Sequence, residues 1–283
     1  MATEDGTARP GSHPKDVQWY LQTLENIDPH TRNILETYSE IPADEVEPHV
    51  YSIRGKGWDI FAYPCIGQFR FLDLSLGKAP QYPEVLRRVE EGQRLLDTGC
   101  CFGQDIRRLV VDGAPGQGEN LYGMDLKEEF FELGYELFRD RETLQAHFLT
   151  ADIFAEDSKL RDLDGSVDII HASSFFHLFS WDKQVQVAKT MVKILRPVKG
   201  SMILGRHVGA PEAGERDARI TGQTMWRHNE ESWRKMWDLV SEQTGTKWKV
   251  DFIWDEKENW ARAAKGMMTS EGAVPTRYAV WRE

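Results

Sequence analysis

Cysteine is scarce in this chain. Its 283 residues contain three, Cys65, Cys100 and Cys101, with no C-x-x-C pair and no second cysteine or histidine cluster at metal-binding spacing. That excludes a disulfide scaffold and the common structural zinc sites, and it points to a reducing, cytoplasmic compartment. Long apolar runs are also missing. No window of about 18 uncharged apolar residues occurs, so no helix is expected to span a membrane. The opening stretch, MATEDGTARPGSHPKD, has no apolar core and carries acids, unlike a secretory signal. Positive charge is in deficit. Thirty-five Lys and Arg stand against 46 Asp and Glu, a formal net charge of -11. A phosphate backbone or an anionic membrane would be repelled overall, so neither nucleic acid nor membrane is expected as a partner.

What is present is ordinary for a globular protein: 40% hydrophobic and 29% charged residues, over a length that suits one large α/β domain or two small ones. Residues 1–14 are rich in Gly, Pro, Ser and Thr and read as a disordered tail. Residues 15–92 read as a helical segment. Apolar residues at helical spacing from Trp19 to Tyr38 predict two short helices broken near Asp28-Pro29, and YPEVLRRVEEG predicts a helix ending at Gly92. Residues 93–283 read as an α/β domain. Strands are predicted at Arg94–Asp97, Asn120–Asp125, Ala146–Thr150, Val167–Ala172 and Ser201–Gly205, with helices starting near Gln104, Lys127, Ser158 and Trp181. This alternation predicts a parallel sheet covered on both faces. A helix at Glu230–Gln243 and two strand-like runs, WKVDFIW and RYAVWRE, follow, and the last pair predicts an antiparallel edge.

The chemistry concentrates in RLLDTGCCFGQDIRRL, Arg94 to Leu109. A strand ends at Asp97, a turn runs from Thr98 to Gly103, and a helix begins. Ligands of doubly wound sheets bind at such strand ends. Gly99 lets backbone approach a ligand, and the helix start offers free N–H groups. Asp125 ends the second strand, where a ribose diol needs an acceptor, and Asp152 follows the third. A dinucleotide fingerprint would need G-x-G-x-x-G. Counted from Gly99, this chain has Cys101 and Gln104 in place of the second and third glycines. A ligand with a ribose and an amino-acid tail but no phosphate, S-adenosylmethionine, fits better. Cys100 and Cys101 themselves read as buried small apolar residues.

LLDTGCCFGQD, LYGMDL, TADIF and VDIIHASSFFHLF resemble the successive motifs of class I S-adenosylmethionine-dependent methyltransferases, over about residues 90–205. With YPCIGQFRFLDL, FFHLFSWDKQ and WRHNEESWRKMWDLVSEQTGTKW, the chain resembles the fungal methyltransferases of meroterpenoid biosynthesis, some of which methylate a carboxyl group. The resemblance implies a Rossmann-like, mostly parallel sheet with an antiparallel C-terminal strand and an N-terminal helical extension. It implies that Asp97, Gly99, Gly103 and His171 hold the methionine part, Asp125 and Leu126 the ribose and adenine, and Asp152 and Ile153 the adenine edge. The departure is Cys101, where the wider superfamily has a central glycine.

Three histidines are candidates for catalysis: His177 in the loop after the fourth strand, His207 after the fifth strand, and His228 before the last helix. Substrate contacts are expected from His177, Arg206, Trp226 and His228. The acceptor decides whether a base is needed. A carboxylic acid is already ionised at pH 7, whereas a phenol with a pKa near 10 profits from a histidine base. The resemblance favours methyl esterification of a terpenoid or polyketide acid, without metal. A phenol O-methyltransferase and a catalytically silent S-adenosylmethionine-binding subunit stay open, and a nicotinamide oxidoreductase is disfavoured. The resemblance also implies a homodimer.

Overall fold

The computed structural model describes residues 13–17, 19–218, 223–255 and 272–283. All but the last two positions of the expected N-terminal tail lie outside them. Seven strands form the main sheet in the order β3-β2-β1-β4-β5-β9-β8. They are β1 (Leu95–Thr98), β2 (Leu121–Asp125), β3 (His147–Thr150), β4 (Ile169–His171), β5 (Met202–Gly209), β8 (Trp248–Trp254) and β9 (Val274–Arg282). Strands β1 to β5 pair in parallel. Strand β9 is antiparallel to both β5 and β8. The last strand therefore lies inside the sheet, and β8 takes the edge that the hairpin-like pair was expected to extend. The sheet order reverses between β1 and β4, which places a crevice over their carboxyl ends.

Alternation along the strands builds two core layers. Leu96, Ile170, Ile203 and Val280 pack towards α7 (Trp181–Ile194) and α8 (Glu230–Thr244), with Trp233, Met236 and Trp237 buried there. Leu95, Ile169, Met202, Leu204 and Ala279 pack towards α4 (Tyr82–Glu90) and α5 (Gln104–Asp112). The sheet is thus covered on both faces, as the alternating pattern predicts.

The N-terminal segment shares a core with the sheet domain. Tyr20, Ile34, Val50, Trp58, Phe69 and Phe71 cluster with Phe102 and with Phe130, Leu133 and Phe138 of α6 (Glu128–Phe138). The buried Arg107–Asp140 ion pair lies beneath it at 2.8 Å, and the Tyr38 hydroxyl donates to the same carboxylate at 2.9 Å.

Two local expectations are corrected. No helix forms over Trp19–Ile27. The backbone there is satisfied by tertiary partners, with Leu21 N–H donating to Gly67 O and Leu21 O accepting from Arg54. Helix α1 (Pro29–Asn33) starts only where Asp28 caps it. The helix expected near Ser158 is one short 3-10 stretch, Lys159–Leu163, with Ser158 as its cap. An unforeseen two-stranded hairpin, β6 (Gly214–Ala218) and β7 (Gln223–Arg227), stands apart from the main sheet. Among the described residues no helix is long and apolar enough to cross a membrane.

Candidate active site

The strand-end turns build the floor. After β1, Gly99 and Cys100 both donate their N–H to Met124 O, at 2.8 and 3.0 Å, which ties the turn to β2. Gly99 has φ +70 and Gly103 has φ +69. A Cβ at Gly99 would stand 2.9 Å from Phe175, so glycine is needed there on two counts. Cys101 adopts φ +54, a left-handed conformation uncommon outside glycine and Asn or Asp. Its N–H donates to Asp125 Oδ2 at 2.9 Å, while Asp125 Oδ1 accepts from Leu126 N–H at 2.8 Å. Burial, the largest influence, pushes the Asp125 carboxyl pKa up.

Cys100 is buried against the sheet, consistent with a packing role. Cys101 reaches the other way, to the N-terminal segment. Its free thiol is within hydrogen-bonding reach of the free Cys65 thiol, beside Tyr63, whose pKa is pushed up to about 12, mainly by burial.

Beneath the turn lies a buried polar cluster. His171 Nδ1 is 2.8 Å from Asp97 Oδ1, a contact set by their direct register across β1 and β4. Burial pushes the imidazole pKa down, but Asp97 outweighs it and the net direction is up. Asp105, in the first turn of α5, accepts from Ser75 Oγ and Leu76 N–H, both at 2.9 Å. With its proton given to Asp105, Ser75 Oγ accepts from the Ser173 hydroxyl at 3.0 Å. Ligand atoms of Asp97, Asp105 and His171 lie within 4.8 Å of one another.

The fit of this cradle to the expected cofactor can be tested on the chain itself. Helix α5 begins at Gly103 without a side-chain cap. Thr98 Oγ1 and Gln104 Oε1 are buried beside it with no partner, where a ligand ammonium or hydroxyl would satisfy them. Leu126 is 56% exposed at the end of β2, an apolar surface open to a planar ring. Ile153 is buried, and the Asp152 carboxylate accepts from Phe154 N–H at 2.9 Å. Asp97, Gly99, Gly103, Asp125, Leu126, Asp152, Ile153 and His171 thus line consecutive strand ends, and they fit S-adenosylmethionine.

The three candidate histidines separate. His177 lies in a short 3-10 turn, Phe176–Leu178, over the crevice. Its Nδ1 accepts from Val208 N–H at 3.4 Å. Burial, then His207, Arg227, Arg70 and Arg206, hold its pKa well below the usual value. His207 lies elsewhere. Neighbouring residues on a strand point to opposite faces. Arg206 faces the N-terminal segment and meets Asp73 Oδ2 at 3.2 Å, whereas His207 turns into the aromatic layer. There it packs 4.9 Å from Trp233 and 5.1 Å from Tyr278, and burial pushes its pKa down to about 3. His228 is also interior, bonded through Nδ1 to Ser232 Oγ and through Nε2 to Gln184 Oε1. His207, expected on the ligand edge, and His228, expected to contact substrate, are thus both buried in the interior. Trp226, in β7, packs 5.2 Å from Trp181, and its N–H donates to Phe179 O.

Sequence reasoning missed Arg70, Asp73, Ser75 and Asp105. Asp105 follows Gly103 by two residues and was legible as a helix-start acid. The other three lie in an aperiodic stretch whose partners are distant in sequence.

A family model described as the meroterpenoid methyltransferase N-terminal domain matches residues 19–72, and a methyltransferase domain model matches residues 95–198. The chain is 44% identical to O-methyltransferase phiE of a Fungal sp. strain, over 90% of this chain and 85% of that one. It is 46% identical to O-methyltransferase atr3 of Stereocaulon alpinum, over 84% and 69% of the two chains. It is 41% identical to asnovolin E/chermesin D methyltransferase nvfJ of Aspergillus novofumigatus, over 83% and 84%. Among solved structures, 1,6-didemethyltoxoflavin-N1-methyltransferase of Burkholderia thailandensis shares the fold with TM-score 0.52 and 11% identity, over 83% of this chain and 90% of that one. Phosphoethanolamine N-methyltransferase 2 of Haemonchus contortus does so with TM-score 0.51 and 14% identity, over 89% of this chain and 59% of that one. The chain belongs to the fungal meroterpenoid methyltransferase family and is an S-adenosylmethionine-dependent methyltransferase.

Proposed function

We propose that this enzyme methyl-esterifies the carboxylate of a terpenoid or polyketide acid, a meroterpenoid intermediate. The observation that carries this reading is the protonation pattern at the crevice. His177 Nδ1 accepts from Val208 N–H, which leaves the ring proton on Nε2. His177 therefore offers a donor, and the neighbouring Arg206 offers more. His207 and His228, the other candidate bases, are interior. A site of donors without a poised base suits an acceptor that is already ionised at pH 7, as a carboxylate is. The family model's description and the name of nvfJ support the substrate class.

When bound, S-adenosylmethionine supplies an electrophilic methyl group for in-line transfer to the carboxylate oxygen. The chain's own residues bind and orient. Asp97 and Gln104 would accept from the methionine ammonium, and the turn from Gly99 to Gly103 would hold the methionine part. Asp125 would accept from the ribose hydroxyls, Leu126 would pack on adenine, and Asp152 and Ile153 would meet its polar edge. His171, fixed by Asp97, borders the methionine tail. Arg206 and the His177 Nε2–H orient the acceptor, with Trp226 in its wall. The N-terminal segment covers the crevice and excludes water. The test is turnover on a panel of prenylated aromatic and terpenoid acids, read by mass spectrometry. A gain of one methylene that disappears on saponification is expected. A methylated product that resists saponification overturns the carboxylate reading.

A further inference from the structure

Three arginines from three separate elements meet around the loop that carries His177. Arg70 belongs to a short 3-10 turn, Arg70–Leu72, in the N-terminal segment. Arg206 belongs to β5. Arg227 ends β7, in the hairpin that stands apart from the main sheet. Strands β5 and β7 both pack against the 3-10 turn that carries His177, and, beyond burial, the positive charges of the three arginines help hold its pKa down. Arg206 and Arg227 are buried, at 6% exposure each. Asp73 joins two of them, with Oδ2 at 3.3 Å from Arg70 Nε and 3.2 Å from Arg206. Burial, the largest single influence, pushes the Asp73 carboxyl up, but Arg206 and Arg70 outweigh it and keep it ionised.

The position of this group is fixed from two sides. Ser75 bonds both Asp105 and Ser173, so it touches the cluster under the methionine end of the cradle. Asp73 is two residues away, so its Cα lies within about 7 Å of that of Ser75. On the far side, Ser174 N–H donates to Arg206 O at 2.7 Å. The hairpin is held down by Trp226 N–H to Phe179 O at 2.8 Å and by Gln184 Nε2 to Trp226 O at 2.9 Å. That anchoring delivers Arg227 to the same loop. Arg70 and Arg206 therefore lie on the N-terminal-segment side of the loop after β4, and Arg227 on its hairpin side.

A planar guanidinium matches a carboxylate in fork geometry, and buried charge-assisted bonds of this kind are stronger than neutral ones. We propose that Arg70 and Arg227 are specificity-determining residues that, with Arg206, receive the substrate carboxylate, and that Asp73 is the positioning residue that holds Arg70 and Arg206 in place. The inference rests on the carboxylate reading above and names the residues that impose it. It explains why a hairpin absent from the sheet is pinned over the fourth-strand loop. It also selects against neutral acceptors, which lack the charge that a guanidinium fork recognises.

The test uses the full-length enzyme, S-adenosylmethionine and a farnesylated benzoic acid. The variants are Arg70→Gln, Arg227→Gln, Arg70→Lys and Arg227→Lys. Binding of the acid and of its primary amide is compared by calorimetry, alongside KM, kcat and cofactor affinity. Each Gln variant is expected to raise KM for the acid about tenfold or more, with cofactor affinity within about twofold of wild type. Preference for the acid over the amide is expected to shrink in the Gln variants and to return in part with Lys. Asp73→Asn is expected to raise KM and leave the product unchanged. If the product is a saponifiable ester but Arg70→Gln and Arg227→Gln keep wild-type KM and acid preference, the receptor assignment is wrong and the carboxylate reading stands. If the product resists saponification, the carboxylate reading itself is wrong.

Discussion

His171 Nδ1 and Asp97 Oδ1 lie 2.8 Å apart with both side chains buried, joined across adjacent strands at the end where the sheet order reverses. The pair fixes the imidazole ring and raises its pKa against the pull of burial. Asp97→Asn removes the charge and keeps the shape. S-adenosylmethionine affinity is expected to fall about 10- to 100-fold, the worth of a buried charged hydrogen bond. The His171 pKa, followed by NMR, is expected to drop. An unchanged affinity together with an unchanged titration would remove both residues from the cofactor site.

Leu126 is more than half exposed, so it contributes little to the core. Leu126→Ser is expected to weaken cofactor binding several-fold by uncovering the adenine, while Tm changes by no more than about 2 °C. A large Tm loss with unchanged affinity would contradict the assignment.

His207 is buried among aromatic rings, and among the described residues neither ring nitrogen has a hydrogen-bond partner. Its folded pKa, pushed down to about 3, lies below the unfolded value of about 6.5. The unfolded chain therefore binds the extra proton between those values. This group's stability contribution is complete above pH 6.5 and is lost as pH falls towards 3, at roughly 1.4 kcal/mol per pH unit. His177 and His228 are displaced in the same direction and add to the trend. His207→Phe removes one titrating group, so the acid unfolding midpoint measured by circular dichroism is expected to move to lower pH. A midpoint that stays put would show that His207 is not buried neutral.

His228 links α7 to the start of α8 through Gln184 and Ser232. His228→Ala leaves the Gln184 amide oxygen unmatched, with an expected loss of about 1–3 kcal/mol in denaturant unfolding. Activity per folded molecule is expected to change little. A fall in kcat of a hundredfold or more at full stability would return His228 to the catalytic site.

Arg107 and Asp140 are both almost fully buried, and they tie α5 to the segment that carries Tyr38. Asp140→Ala strands a buried guanidinium and is expected to cost about 3–5 kcal/mol, read by urea unfolding. A loss below about 1 kcal/mol would show that the pair is solvated.

Much of this was legible in one dimension because strand-end acids and glycines act locally. Asp97, Gly99, Gly103 and Asp125 sit within or beside the elements that the β/α rhythm marks, so reading the rhythm places them. The histidines were less legible. His207 and Arg206 are adjacent in sequence, and only the pleat of β5 decides that Arg206 faces the crevice and His207 the core. His228 reads as a site residue beside Trp226, but the capping box of α8 takes its loop inward.

The sequence by itself determined the parallel part of the sheet, its strand-end turns and the preference against a dinucleotide, because periodicity, turn glycines and the side chain at Cys101 are properties of short stretches. Tertiary structure alone decided that Arg70, Arg206 and Arg227 are brought around one loop, that the free thiols of Cys101 and Cys65 approach each other, and that β9 inserts between β5 and β8. Those contacts join positions tens to more than a hundred residues apart. Their partners are chosen by how the N-terminal segment and the β6–β7 hairpin fold back over the sheet, and no local pattern encodes that.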